Sequence, residues 1–117
     1  MVGVISIKRV YEPAAVDDGT RVLVDRLWPR GVSKEEAKYD YWLKDVAPST
    51  DLRHWFGHDP ARWEEFRRRY VLELDANPAV AELASIVKKG HTTVLYGAHD
   101  EEHNQAVVLA DYLRSRL

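Results

Sequence analysis

Four short apolar runs along the chain have the length and composition of β-strands. Residues 4–7 form a β-branched run, and residues 22–24 are continuously apolar. Residues 39–46 alternate in part between apolar and polar side chains, and residues 93–96 run into Gly97. β-branched and aromatic residues favour extended backbone, and a continuous apolar run is typical of a strand covered on both faces. The pattern therefore predicts four strands.

Two short helices are predicted between the second and third strands and after the third. Ser33 and Glu36 have the spacing of a capping box, in which each side chain accepts a hydrogen bond from the other residue's backbone. Pro48 then opens a short helical turn that contains Trp55 and that Gly57 closes.

Three longer helices are predicted from apolar residues that recur three or four positions apart, which gives a helix one buried face. The first two begin at Asp59-Pro60 and Asn77-Pro78, where a capping side chain precedes a proline that suits the first helical turn. The predicted buried faces are Trp63, Phe66, Tyr70 and Leu74; Val80, Leu83, Ala84 and Val87; and Ala106, Leu109, Ala110, Leu113 and Leu117.

Strands separated by helical segments predict an α/β fold, a three-layer α/β/α sandwich with a small, largely parallel or mixed sheet. The first two strands lie close in sequence and could also pair as an antiparallel hairpin, so both arrangements stay open. In open α/β sheets, ligands bind beyond the carboxyl ends of the strands. We therefore expect a ligand site in the segments that follow the strands.

Composition and charge exclude several classes of protein and of functional site. The 117 residues fit one domain, residues 1–117, and include 17 Lys and Arg against 19 Asp and Glu. This balance gives no overall field that would attract nucleic acid or an anionic membrane. The chain has no cysteine, which excludes disulfides, thiolate metal sites and cysteine nucleophiles.

No apolar run approaches the roughly 20 residues that span a bilayer, and the first eight residues lack the pattern of a signal peptide. We therefore expect a cytoplasmic protein with no membrane partner, either a monomer or a homodimer. No Gly-rich phosphate loop or nucleophile elbow is present, and we expect no cofactor.

The densest concentration of chemistry follows the second strand. Asp25, Arg26, Trp28 and Arg30 lie in one turn together with Pro29. Arginine matches phosphate or carboxylate with two parallel hydrogen bonds, and tryptophan offers a face for stacking. The segment indicates a pocket for an anion, although an ion pair between Asp25 and one of the arginines could equally serve only to stabilise the turn.

The segment after the last strand is a second candidate. It joins Tyr96 and Gly97 to His103 and Asn104, and the helix behind it offers unpaired backbone N–H groups. Its three acids, at positions 100–102, would repel a phosphate and are better explained as caps of the helix start.

Two histidine pairs, His99 with His103 and His54 with His58, have the i, i+4 spacing of metal ligands. The first pair straddles a turn and lacks a third ligand, and Gly57 interrupts the second. We therefore expect no metal site.

A basic patch, Arg62 with Arg67–Arg69, is the one feature that favours nucleic acid. Acids flank the patch, and the pairs Glu64–Arg68 and Glu65–Arg69 have helix-surface spacing. A solvated helix face explains the patch better, so we expect no nucleic-acid partner.

Four blocks of sequence carry a resemblance to a known family. They are residues 21–32 (RVLVDRLWPRGV), 42–49 (WLKDVAPS), 52–56 (LRHWF) and 96–106 (YGAHDEEHNQA). Together they resemble the YeaO-like proteins, a bacterial domain family of unknown function. The resemblance implies a compact three-layer α/β fold. More distant members carry Cys-His-Arg where this chain has Glu102-His103-Asn104, which implies that a role of that Cys or Arg is absent here.

Three hypotheses of function follow. We favour the binding of an anionic small molecule, a phosphate, nucleotide or carboxylate, at the carboxyl edge of the sheet, and whether a reaction follows stays open. The alternatives are a nucleic-acid-associated or regulatory module that uses the basic patch, and a non-catalytic protein-interaction module. In the favoured hypothesis Asp25 and His103 are the candidate catalytic residues, and the candidate ligand-binding residues are Arg26, Trp28, Arg30, Arg53, Tyr96 and Asn104.

Overall fold

A computed structural model describes residues 4–116, and its centre is a four-stranded sheet. The strands are β1 (Ile5–Arg9), β2 (Thr20–Leu23), β3 (Tyr41–Trp42) and β4 (Thr92–Tyr96), arranged in the order β1-β4-β2-β3. All three pairings are parallel. The predicted α/β class is confirmed.

The position of β4 excludes a hairpin between the first two strands. β4 lies between β1 and β2 and hydrogen-bonds to both, so that Val94 is opposite Ile7 on one side and Val22 on the other. All five residues of β4 are buried. A strand in this position has neighbours at both edges and cover on both faces, as parallel sheets require.

Five helices surround the sheet. Ser33 caps the first with the predicted capping box, and its hydroxyl oxygen accepts a hydrogen bond from the Glu36 backbone at 3.0 Å. Of the predicted apolar positions, Leu117 lies outside the described residues. The helices are α1 (Lys34–Ala37), α2 (Thr50–Phe56), α3 (Trp63–Asp75), α4 (Val80–Lys89) and α5 (Gln105–Arg116).

The predicted third strand is mostly wrong. Only Tyr41 and Trp42 are extended, and Lys44–Val46 form a 3₁₀ turn instead. The turn directs the chain away from the sheet towards α3, where the Tyr70 hydroxyl donates a hydrogen bond to the Val46 carbonyl at 2.6 Å. This contact spans 24 residues, so the local alternation of side chains does not indicate it.

The two faces of the sheet are covered unequally. The helices α2 to α5 supply the main core, which includes Val22, Phe66 and Leu109. The other face carries a smaller apolar cluster that the four-residue α1 and three half-buried aromatic rings cover. One layer of the sandwich is therefore thin, and much of it consists of the segment that follows β2. No helix within residues 4–116 is long and apolar enough to cross a membrane.

Candidate functional site

A cavity of about 700 Å³ opens beyond the carboxyl ends of β2 and β4. Most of its walls come from four segments: residues 25–30 after β2, the C-terminal half of α2, residues 97–99 after β4, and the start of α5. The lining is completed by Tyr11, Ala47, Pro48 and Phe66. The volume falls within the range of cavities that hold small molecules. The fold therefore brings together segments that are far apart in sequence.

Asp25 connects the ends of the two central strands. Its Oδ2 accepts a hydrogen bond from the Gly97 backbone N–H at 3.0 Å, and its Oδ1 accepts one from the side-chain amide of Gln105. Burial raises the pKa of Asp25 to about 6, although these hydrogen bonds and the charge of Arg53 act in the opposite direction. This carboxyl group therefore changes its charge close to neutral pH.

The backbone around Asp25 is held from both sides. The Trp42 indole N–H donates to the Asp25 carbonyl at 2.7 Å. On the other side, a Cβ atom at Gly97 would lie 2.8 Å from Asp25 Oδ2 and 3.1 Å from Pro29. Only glycine allows this close approach without displacing its neighbours.

The three predicted arginines all line the cavity, but they differ in what they hold. Arg26 donates to two backbone carbonyls, those of Ala47 at 3.1 Å and Pro48 at 3.3 Å, so its guanidinium is committed to the structure. Neither the half-buried Arg53 nor the exposed Arg30 has a side-chain hydrogen bond or ion pair to another described residue. Their guanidinium groups have donors available for a ligand.

Three histidines add to this lining, His54 and His58 around the end of α2 and His99 after β4. His58 has a positive φ of 55°, directly after Gly57 at 54°, so the left-handed turn that ends α2 presents a histidine to the cavity. The lining thus combines three arginines and three histidines with a single carboxylate, that of Asp25, within the described chain.

Trp28 packs against neighbouring aromatic rings and also lines the cavity. Its indole N–H donates to the Val32 carbonyl at 2.7 Å, and its ring meets Tyr39 and Trp42 edge to face at 5.5 and 5.4 Å. These contacts fix the ring in place. Together with Pro29 it gives one side of the cavity an apolar surface.

Two of the predicted site residues lie outside the cavity lining. His103 Nδ1 lies 2.8 Å from Asp100 Oδ2, and its ring packs edge-on against Trp63. Tyr96 is 2% exposed and belongs to the main core. The structure therefore does not bring His103 together with Asp25, and it gives Tyr96 a packing position.

Asn104 lines the cavity and is also the cap of α5. Its Oδ1 accepts a hydrogen bond from Val107 N, and its Nδ2 donates to the Asp100 carbonyl. The acids at positions 100–102 do not cap α5, because Asn104 does so; Asp100 instead stabilises the turn before the helix, where its carboxylate accepts from the backbone N–H groups of Glu102 and His103. These bonds, that from Glu102 foremost, hold the pKa of Asp100 below its ordinary value.

The basic patch of α3 is largely paired with neighbouring acids. Glu65 accepts from both Arg68 and Arg69, with N–O distances of 2.7 Å. The predicted pair Glu65–Arg69 is therefore confirmed, and the predicted pair Glu64–Arg68 is wrong because Arg68 reaches Glu65 instead. The other two arginines form the pairs Arg67–Asp111 and Arg62–Asp59.

Several residues of the lining were not selected from the sequence. Gln105 holds the Asp25 carboxylate across 80 residues, a distance that no local motif indicates. The spacing of His54, His58 and His99 in the sequence indicates only possible metal ligands. Within residues 4–116, no three His, Asp or Glu side chains are grouped so as to hold a metal ion. His99 lies in the segment that follows β4, where the rule for α/β sheets places ligands, whereas His54 and His58 lie at the end of α2 and carry no such signal.

Comparisons with known proteins give a consistent result. A family model described as the inactive DUF488-N3 subclade matches residues 4–117. The chain is similar to the uncharacterized protein YeaO of Escherichia coli K12, with 46% identity over 112 residues that cover 95% of this chain and 97% of that protein. Uncharacterized proteins of Mycobacterium bovis and Mycobacterium tuberculosis are 42% identical over 112 residues, 96% of this chain and 95% of theirs. No solved structure matches the chain.

Proposed function

Because the chain belongs to the DUF488 family, in the part described as the inactive DUF488-N3 subclade, we propose that it is a binding protein for an anionic small molecule. The ligand is a phosphate, a nucleotide or a carboxylate of the cytoplasm, and it binds in the cavity at the carboxyl ends of β2 and β4. The word inactive in the family's description supports binding rather than catalysis.

The observation that carries this proposal is the charge of the cavity. Three arginines face one carboxylate among the described lining residues, and three histidines add ring N–H donors, in a protein whose formal net charge is −2. Positive groups concentrated in a cleft attract and retain an anion, because the low-dielectric walls focus their field. The N-terminus of the 12-residue α5, at Gln105, adds the positive end of a helix dipole.

The contacts support a division of roles. Arg53 and Arg30 donate to the anion, whereas Arg26 is engaged with backbone carbonyls and keeps the wall of the cavity in place. Asp25 joins the ends of the two central strands and adjusts the charge of the cavity. His103 takes no part in this proposal, because its ring is engaged with Asp100 and Trp63.

Isothermal titration with inorganic phosphate, pyrophosphate and citrate at pH 7.5 tests the proposal. We expect wild-type protein to bind at least one of these anions at a single site. Arg53→Gln should weaken that binding by roughly tenfold or more, since a hydrogen bond to a charged group contributes about 1.5–3 kcal/mol.

The matched control is Arg68→Gln, which removes the same charge from an exposed position on α3 where Arg68 is paired with Glu65. This variant should bind as wild type does. Equal binding by wild type and Arg53→Gln, or no binding of any of the three anions by wild type, would refute the proposed function.

A further inference from the structure

The cavity has an apolar side that an inorganic anion would leave uncovered. Leu27, Trp28, Pro29 and Pro48 line it beside the arginines, and Leu27 is 67% exposed. The rings of Phe56 and Phe66 are buried beneath, stacked at 4.2 Å. A cavity of about 700 Å³ with such a wall suits a ligand that has an apolar or flat ring as well as a charge.

The charge of the cavity favours a ligand with more than one negative charge. Arg30 and Arg53 have no described side-chain partner, and the three histidines lie around them. A zwitterion such as an amino acid would leave this excess uncompensated. A phosphate monoester carries about −1.5 to −2 at pH 7 and has three acceptor oxygens, which matches two forked guanidinium groups.

The carboxylate of Asp25 favours a ligand that also has hydrogen-bond donors. Its two oxygens accept hydrogen bonds from Gly97 and Gln105, and a carboxylate has about four acceptor positions. The remaining positions have no partner among the described residues, and Asp25 lines the cavity. An anion would be repelled only if it lay directly against this carboxylate, whereas an N–H donor would be attracted to it, so we place the phosphate at the arginines and the donor at Asp25.

We propose, resting on the proposed function above, that the ligand is a nucleoside monophosphate. Its phosphate binds Arg53 and Arg30, its base lies against the apolar wall formed by Trp28 and Pro29, and an N–H group of the base donates to Asp25. One molecule thereby matches all three features of the cavity.

Calorimetric titration at pH 7.5 with guanosine monophosphate, ribose 5-phosphate, inorganic phosphate and phenylalanine tests this assignment. Guanine is used because its two adjacent N–H groups match the two oxygens of a carboxylate. We expect guanosine monophosphate to bind wild type roughly tenfold or more tightly than ribose 5-phosphate, because the base adds stacking and a specific hydrogen bond. Arg53→Gln should weaken both phosphates, and phenylalanine should bind most weakly.

Asp25→Asn should remove most of the advantage of guanosine monophosphate over ribose 5-phosphate, measured as the ratio of the two affinities for the same variant. The control Asp17→Asn, at an exposed acid outside this cavity, should change neither. If Asp25→Asn does not fold, inosine monophosphate replaces the variant. It lacks the amino group of guanine and should bind wild type several-fold more weakly than guanosine monophosphate.

The outcomes separate the two proposals. Binding of phosphate and ribose 5-phosphate with no gain from the base overturns the nucleotide assignment and leaves the anion site standing. The assignment is also overturned if phenylalanine binds more tightly than guanosine monophosphate, if Asp25→Asn keeps the full advantage, or if inosine and guanosine monophosphates bind equally. Absence of binding by every phosphate overturns the nucleotide assignment, and the proposed function is overturned as well if citrate also fails to bind.

Discussion

At the scale of single residues, the charged carboxylate of Asp25 is costly to bury, yet the residue lines the candidate cavity. Its carboxylate is held by Gly97 and Gln105, yet burial still raises its pKa from the ordinary 3.8 to about 6. The charged form therefore destabilises the folded state at neutral pH, in a cavity whose other ionisable lining groups are arginines, histidines and Tyr11. Such a cost is typical of a group kept for binding or chemistry.

The raised pKa of Asp25 predicts how the Asp25→Asn substitution changes stability with pH. A carboxyl group whose pKa is higher in the folded state binds more protons there, so its contribution is greatest below pH 3.8 and is lost as the pH rises through 6. The amide does not titrate. The unfolding free energy of the variant relative to wild type should therefore rise by up to about 3 kcal/mol between pH 4 and pH 7.

Urea unfolding at a series of pH values measures this difference. The exposed Asp17→Asn serves as the control and should show no such trend. A difference between Asp25→Asn and wild type that stays constant from pH 4 to pH 7 would mean that burial does not perturb this carboxyl group.

Gly97 supports the same carboxylate by its lack of a side chain. In Gly97→Ala the new Cβ would lie 2.8 Å from Asp25 Oδ2, so either the strand end or the carboxylate must move. We expect a loss of about 1–3 kcal/mol in the free energy of unfolding, as for other overpacked sites. Gly90→Ala is the matched control, because no neighbouring atom lies within 4 Å of its Cβ. Equal losses in the two variants would contradict the close approach.

At the scale of elements, the N-terminus of α2 is linked to α3 through Ser49. The hydroxyl of Ser49 accepts from Leu52 N at 3.1 Å and donates to Glu73 of α3 at 2.6 Å, so the cap of α2 is also its link to α3. Arg53 and His54 lie one turn further along this seven-residue helix. The hydrogen bonds of Ser49 thus contribute to the orientation of the helix that carries Arg53.

Ser49→Ala should therefore affect both stability and binding. Loss of the cap should lower the free energy of unfolding by about 1–2 kcal/mol. Phosphate affinity should fall several-fold, because Arg53 is no longer held in one orientation. Denaturant unfolding and phosphate titration measure the two effects, with the exposed Thr50→Ala as control. Unchanged phosphate affinity in a destabilised Ser49→Ala would separate this link from the site.

The elements that were predicted correctly have local signals. Asp59 caps the turn that leads into α3, with its carboxylate accepting from Ala61 N at 2.9 Å, and Asn77 accepts from Ala79 N before α4. The third strand was predicted wrongly because its end is set by the contact between Tyr70 and Val46, which lie in different elements. Local sequence thus indicates where helices begin but not where tertiary contacts end a strand.

At the scale of the whole molecule, the order of the strands could not be predicted from the pattern of apolar residues. β4 occupies the interior of the sheet although it begins with Thr92 and Thr93, both fully buried. The buried ion pair between Asp18 and Arg21 was likewise not foreseen, because the surroundings that bury it come from distant segments. These features arise from packing between elements.

The candidate site could be predicted in part. Asp25, Arg26, Trp28 and Arg30 are neighbours in sequence and all line the cavity. The segment follows β2, and ligands of α/β sheets bind at the carboxyl ends of strands, so the sequence predicts a site here. The position of His103 could not be predicted, because its bond to Asp100 depends on the turn between β4 and α5.

The proposed function requires that an anion binds between the strand ends and α2, in contact with Arg53. A titration of labelled protein with inorganic phosphate, followed by ¹H–¹⁵N spectra that include the arginine Nε–H resonances, tests it most directly. We predict saturable shifts that are largest at Arg53 Nε and at the backbone amides of Gly97 and Gln105. Shifts that do not saturate, or that are largest on the arginines of α3, would contradict the account.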